Sequence, residues 1–64
     1  METIDLTCTN NGKTKTADVL QHDDKYIKCV VSGTQIVIEL FREDVNMSYI
    51  GNTAGLKFEW QPKN

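Results

Sequence analysis

The sequence predicts an all-β fold: a single small domain of six short antiparallel strands in a meander, closing into a barrel or a two-layer roll, with no substantial helix. Two observations carry this expectation. Apolar and polar residues alternate with period two along most of the 64 residues, and no stretch keeps i, i+3, i+4, i+7 spacing for three helical turns. Turn chemistry recurs between the alternating runs, as Asn11-Gly12, Ser32-Gly33 and the break Gly51-Asn52-Thr53-Ala54-Gly55.

The first strand is Thr3 to Thr9, with Ile4, Leu6 and Cys8 on one face and threonines and Asp5 on the other. Asn11-Gly12 is a strong hairpin signal, because a type I′ turn needs positive φ at both central residues. A two-residue loop there opposes Cys8 to Lys15, Leu6 to Ala17 and Ile4 to Val19. A three-residue loop with a bulge at Gly12 would instead turn Thr14, Thr16 and Asp18 inward, and the hydrophobic pattern favours the first arrangement.

Gln21-His22-Asp23-Asp24 reads as a polar connection. Lys25 to Ser32 then places Ile27, Cys29 and Val31 on one face, and a tight turn at Ser32-Gly33 opposes Cys29 to Ile36, Ile27 to Ile38 and Lys25 to Leu40. Arg42-Glu43-Asp44-Val45 forms a four-residue loop that sets Leu40 against Met47 and Ile38 against Tyr49. After the glycine-flanked break, Leu56, Phe58 and Trp60 alternate with Lys57 and Glu59. Pro62 removes a ladder donor, so residues 61–64 are expected to fray. The expected core is Ile4, Leu6, Cys8, Ala17, Val19, Ile27, Cys29, Val31, Ile36, Ile38, Leu40, Met47, Tyr49, Leu56, Phe58 and Trp60.

Hydrophobic residues make up 39 % of the chain and charged residues 25 %, with a net charge of −2, which points to a packed domain rather than a disordered one. Folding so short a chain buries about 6,400 Å². At ~25 cal/mol per Å² over its apolar part, this contributes about 95 kcal/mol, against about 95 kcal/mol of ordering entropy. With the two terms equal, self-association is the simplest additional source of stability.

Several function classes find no support. No window approaches ~18 consecutive apolar residues. The acidic, alternating start lacks the character of a signal peptide, which gives the expectation of a cytoplasmic protein. Cys8 and Cys29 are too few for a disulfide framework, and in a flat meander they lie two strands apart, about 9 to 10 Å, beyond disulfide reach, whereas a sheet that folds over could bring them together. They read as small buried hydrophobes rather than zinc ligands. His22-Asp23-Asp24 is the one place where an imidazole adjoins carboxylates, and it reads as a solvated turn rather than a base or a cation site. Gly51-x-x-x-Gly55 precedes a strand, so it presents no helix terminus to a phosphate. Asn46-Met47-Ser48 matches a glycosylation sequon only formally. No catalytic residue, cofactor or metal is assigned, and the protein is expected not to be an enzyme.

The informative feature is a second apolar face on the central hairpin, made by Tyr26, Val30, Val37 and Phe41. Strands apolar on both sides are central or covered by another layer, and exposed patches of this kind mark interfaces. Cover could come from the first or last strand, from a second copy in a homodimer, or from a partner protein. Protein–protein contact is therefore the leading expectation, as oligomer subunit or as modulator of a larger protein. The alternative is a single-strand nucleic-acid binder using Tyr26, Lys28 and Phe41, against which stand the pI near 5.1 and Glu39 as the cross-strand neighbour of Tyr26. In turn signals and composition the chain resembles many short free-standing phage and bacterial proteins, without matching a named family.

Overall fold

A computed structural model of the chain describes residues 2–62. Six strands, β1 (Thr3–Cys8), β2 (Thr14–Asp23), β3 (Tyr26–Val31), β4 (Val37–Phe41), β5 (Tyr49–Thr53) and β6 (Leu56–Trp60), pair in chain order. The antiparallel pairing of β1 with β6 closes the sheet into a barrel. No helix occurs among the described residues. One end of the barrel, here the upper, carries the loops after β1, β3 and β5. The lower end carries the other two loops and the ends of the described chain.

Strand alternation puts one face of every strand inside. Ile4, Leu6 and Cys8 of β1, Ala17 of β2, Ile27 and Cys29 of β3, Ile38 and Leu40 of β4, Tyr49 of β5 and Phe58 of β6 form one buried cluster. Val19, Val31, Leu56 and Trp60 pack against it, half-buried. Each large aliphatic or aromatic side chain withdrawn from water contributes about 1.5 to 3 kcal/mol, and this inner face is the main term holding the barrel together.

The strands follow the expected order and facing, but their registers slide. β1 pairs with β2 as Ile4↔Ala17 and Leu6↔Lys15, two residues from the expected alignment. The cause is a wider loop. Cys8 O accepts from the Gly12 amide at 2.7 Å, and Gly12 alone among these loop residues takes a positive φ, of 72°, so the turn is not type I′. Asn11 Oδ1 accepts from the Lys13 amide at 2.9 Å and stabilises the wider form. β3 and β4 show the same two-residue slide, with Cys29↔Ile38 and Ile27↔Leu40. A slide of two residues leaves every side chain on its original face, which is why the core survives it.

Larger corrections fall at the lower end and the rims. Gln21-His22-Asp23 is not a connection: β2 runs through it to Asp23, with a bulge between Val19 and Gln21 that turns Leu20 out to solvent. The turn is Asp24-Lys25, and Lys25 is exposed rather than opposite Leu40. The β4–β5 register is Phe41↔Ile50, so the connection runs from Arg42 to Ser48. Met47, expected in the core, is an exposed residue of that loop. Ile36, also expected inside, is exposed because the wider β3–β4 loop lifts it to the upper rim. The Gly51–Gly55 break is mostly strand: β5 continues to Thr53, and only Ala54-Gly55 turns. β6 ends at Trp60. Of the expected frayed tail, residues 63 and 64 lie outside the described part.

Neither β1 nor β6 folds over the outer face of β3 and β4, since the two pair with each other. Closure needs a close approach of β4 and β5 at Gly51. A Cβ there would collide with the Glu39 carbonyl oxygen and come within 2.8 Å of Leu40 Cδ2.

Two substitutions test this account. Gly51→Ala is expected to destabilise by about 1 to 3 kcal/mol in urea unfolding, the cost of overpacking against backbone; an unchanged midpoint would contradict the close approach. Ala54 holds φ at 52°, a conformation that costs an L-residue about 1 kcal/mol. Ala54→Asn should raise stability by about 0.5 to 1 kcal/mol, because Asn-Gly suits the two-residue turn.

Candidate functional site

The outer face of β3 and β4 is built by register. Cross-strand pairs Tyr26↔Phe41 and Val30↔Val37 flank the pair Lys28↔Glu39. Phe41 is 56 % and Val37 44 % exposed, while Tyr26 and Val30 are half-buried. The Tyr26 and Phe41 rings pack with centroids 5.1 Å apart. Barrel closure consumes all six strands, so none is left to cover these side chains. All four residues expected to form an interface therefore share one exposed surface.

Tyr26 reaches Glu39 even though its direct partner is Phe41. Its hydroxyl donates to Glu39 Oε2 at 2.6 Å, along the diagonal that the two-residue slide creates. That bond holds the phenol above its ordinary pKa, with partial desolvation and the charges of Glu39 and Asp23 acting in the same direction. The aromatic pair thus carries a carboxylate beside it, and Lys28 sits directly opposite that carboxylate.

The sequence reading missed Ile50. The Phe41↔Ile50 pair extends the apolar stripe onto β5, beside a shallow notch of about 330 Å³ bounded by Val37, Glu39, Phe41, Ile50 and Asn52. Alternation from Tyr49 gives its outward facing, and the four-residue loop expected for the β4–β5 connection sets it opposite Val37 rather than Phe41. Also missed is an apolar recess of about 250 Å³ at the upper rim, where Val31, Ile36, Leu56 and Phe58 meet beneath Lys15 and Thr34.

The lower end is closed by a polar-aromatic assembly. The Tyr49 ring is buried, and its hydroxyl donates to the carbonyls of Asp23 and Asp24 at 2.8 and 2.9 Å. Arg42 lies 4.1 Å over that ring, its Nε donating to Asp24 O at 2.5 Å and its Nη1 to Val45 O at 2.9 Å. His22 stands edge-on to Tyr49 and Trp60, each 5.9 Å away, with Nδ1 3.2 Å from Glu2 Oε1. The His22-Asp23-Asp24 run is thus part of the scaffold: its carbonyls anchor Tyr49 and Arg42, and the Asp23 carboxylate accepts from Gln21 Nε2 at 2.8 Å. Among the described residues, no group of three His, Cys, Asp or Glu side chains is placed to hold a metal ion. The described residues, having no helix, contain none long and apolar enough to cross a membrane, which says nothing of membrane-spanning strands.

Compared with family models, curated proteins and solved structures, the chain matches none.

Cys8 and Cys29 are buried free thiols. Cys29 Sγ donates to Ile38 O at 3.5 Å, and burial pushes its pKa above the ordinary 9.0. Both should react with a thiol reagent at least a hundredfold more slowly in the folded than in the urea-unfolded protein; equal rates would contradict their burial. Below about pH 8 both states keep the Cys29 thiol largely protonated. Above that, ionisation favours the unfolded chain, so stability should fall with rising pH, and less steeply in Cys29→Ala.

Proposed function

We propose that the protein is a small non-enzymatic all-β module that acts by protein–protein contact through the outer face of β3 and β4, as a homodimer subunit or as a modulator of a larger protein. One observation carries this reading: Val37 and Phe41 stay exposed beside Tyr26, Val30 and Ile50 once the barrel has used every strand. The tilted Tyr26–Phe41 pair, with few rotatable bonds, matches the aromatic enrichment of protein interfaces, and the Lys28–Glu39 pair lies between it and Val30–Val37.

Single-strand nucleic-acid binding through Tyr26, Lys28 and Phe41 has weaker support. A phosphate following the Tyr26–Phe41 platform would meet Glu39, which accepts the Tyr26 hydroxyl and faces Lys28.

The test is Val37→Glu, compared with wild type in sedimentation and in pull-down from the native host. The expected result is loss of dimer or partner, with circular dichroism and unfolding midpoint within about 0.5 kcal/mol of wild type. An unchanged complex, or no complex with wild type at all, would overturn the reading; wild type bound to oligonucleotides and released by salt would favour the alternative.

A further inference from the structure

On the side of the barrel opposite the β3–β4 face, the seam between β1 and β6 is only half sewn. In an antiparallel strand, successive residues send their main-chain groups to opposite neighbours. Glu2 O accepts from the Val19 amide and the Cys8 amide donates to Lys13 O, both at 2.8 Å, so the even-numbered residues of β1 serve β2. Thr3, Asp5, Thr7 and Thr9 therefore turn their N–H and C=O groups towards β6. The Thr9 amide donates to Lys57 O at 2.9 Å, and Thr7 pairs with Glu59. The pairing goes no further: β6 ends at Trp60, and Thr3 and Asp5 have no strand partner among the described residues.

Where further pairing would lie there is a groove of about 530 Å³, lined by Glu2, Thr3, Asp5, Glu59, Trp60 and Gln61. Among the described residues, its lining holds three carboxylates and no lysine or arginine. The edge without a strand partner among the described residues, Thr3 to Asp5, is about 7 Å long, the span of a three-residue strand. By strand alternation, Asp5 and Glu59 face outward while Ile4 and Trp60 face the interior side.

We propose that this open seam takes an extended basic segment of a partner protein as an added strand. Main-chain hydrogen bonds would form to Thr3 and Asp5, lysine or arginine side chains would lie over Asp5 and Glu59, and alternate apolar side chains would turn towards Ile4 and Trp60. A second copy of this chain fits poorly, because two β1 edges paired about Asp5 would set carboxylate against carboxylate. The proposal does not depend on the outer face of β3 and β4.

The test uses a capped Lys-Val-Lys-Val-Lys-Val peptide and its analogue N-methylated at alternate residues, which keeps the charge but loses donors. In amide-resolved NMR, the parent peptide should shift Thr3, Asp5 and Thr7 and slow hydrogen exchange of the Thr3 and Asp5 amides at least tenfold. The methylated peptide should bind at least tenfold more weakly. Asp5→Lys should weaken the parent peptide at least tenfold while Val37→Glu leaves it unchanged. If Asp5→Lys does not fold, the pair of peptides on wild type decides. Equal binding of both peptides, shifts confined to other strands, or Thr3 and Asp5 amides already protected in the free protein would overturn the proposal.

Discussion

The β1–β6 ladder is short, and the rest of the molecule depends on it. Thr7↔Glu59 and Cys8↔Phe58 are its registered pairs, extended upward by the Thr9 amide on Lys57 O and by Asn10 Oδ1, which accepts from the Lys57 amide at 2.9 Å. Without this contact a six-stranded meander exposes one apolar face and two free edges. With it, Leu6, Ile27, Ile38, Leu40 and Tyr49 lose all contact with water. The same closure leaves no spare strand, so the outer apolar stripe of β3, β4 and β5 stays at the surface. Among the described residues, its limited length also leaves the lower seam without strand pairing.

The two ends of the barrel are closed by different physics. At the upper end, turns carry the chain across and an apolar recess remains beneath Lys15. At the lower end a single side chain ties three segments together. Arg42 bonds to Asp24 O, Val45 O and Met47 O while lying over the Tyr49 ring. A planar guanidinium suits this, since it donates in several directions and stacks at once. The Tyr49 hydroxyl reaches the same β2–β3 turn from inside, so the loop after β4 and the turn after β2 are fixed to one ring.

Much of the fold was legible because strand facing depends only on parity. Cys29 keeps its inward position whether its partner is Ile36 or Ile38, so the two-residue slide cost nothing in the core. The misplaced residues are those whose position depends on loop length. Ile36 and Met47 each have the parity of a core residue, but the loops beside them are longer than the shortest that would serve. At the β4–β5 loop, Asp44 Oδ1 accepting from the Asn46 amide and the three bonds of Arg42 stabilise the longer form. The candidate face was legible for the same reason: Tyr26, Val30, Val37 and Phe41 follow from parity. Ile50 has outward parity too and was legible on the same ground; the true β4–β5 register decided only that it neighbours Phe41 rather than Val37.

The sequence by itself determined which side of each strand meets the core, because alternation and β-propensity act within a few residues. It also determined the order of the strands, since short connections join neighbours. Only the tertiary structure decided that the sheet closes, where the closure stops and what it leaves uncovered. Those outcomes rest on contacts between residues about fifty positions apart, such as Thr9 with Lys57, and on the fit of Gly51 against the Glu39 backbone. Neither leaves a periodic trace in the chain, because each satisfies one distant partner rather than a repeating local pattern.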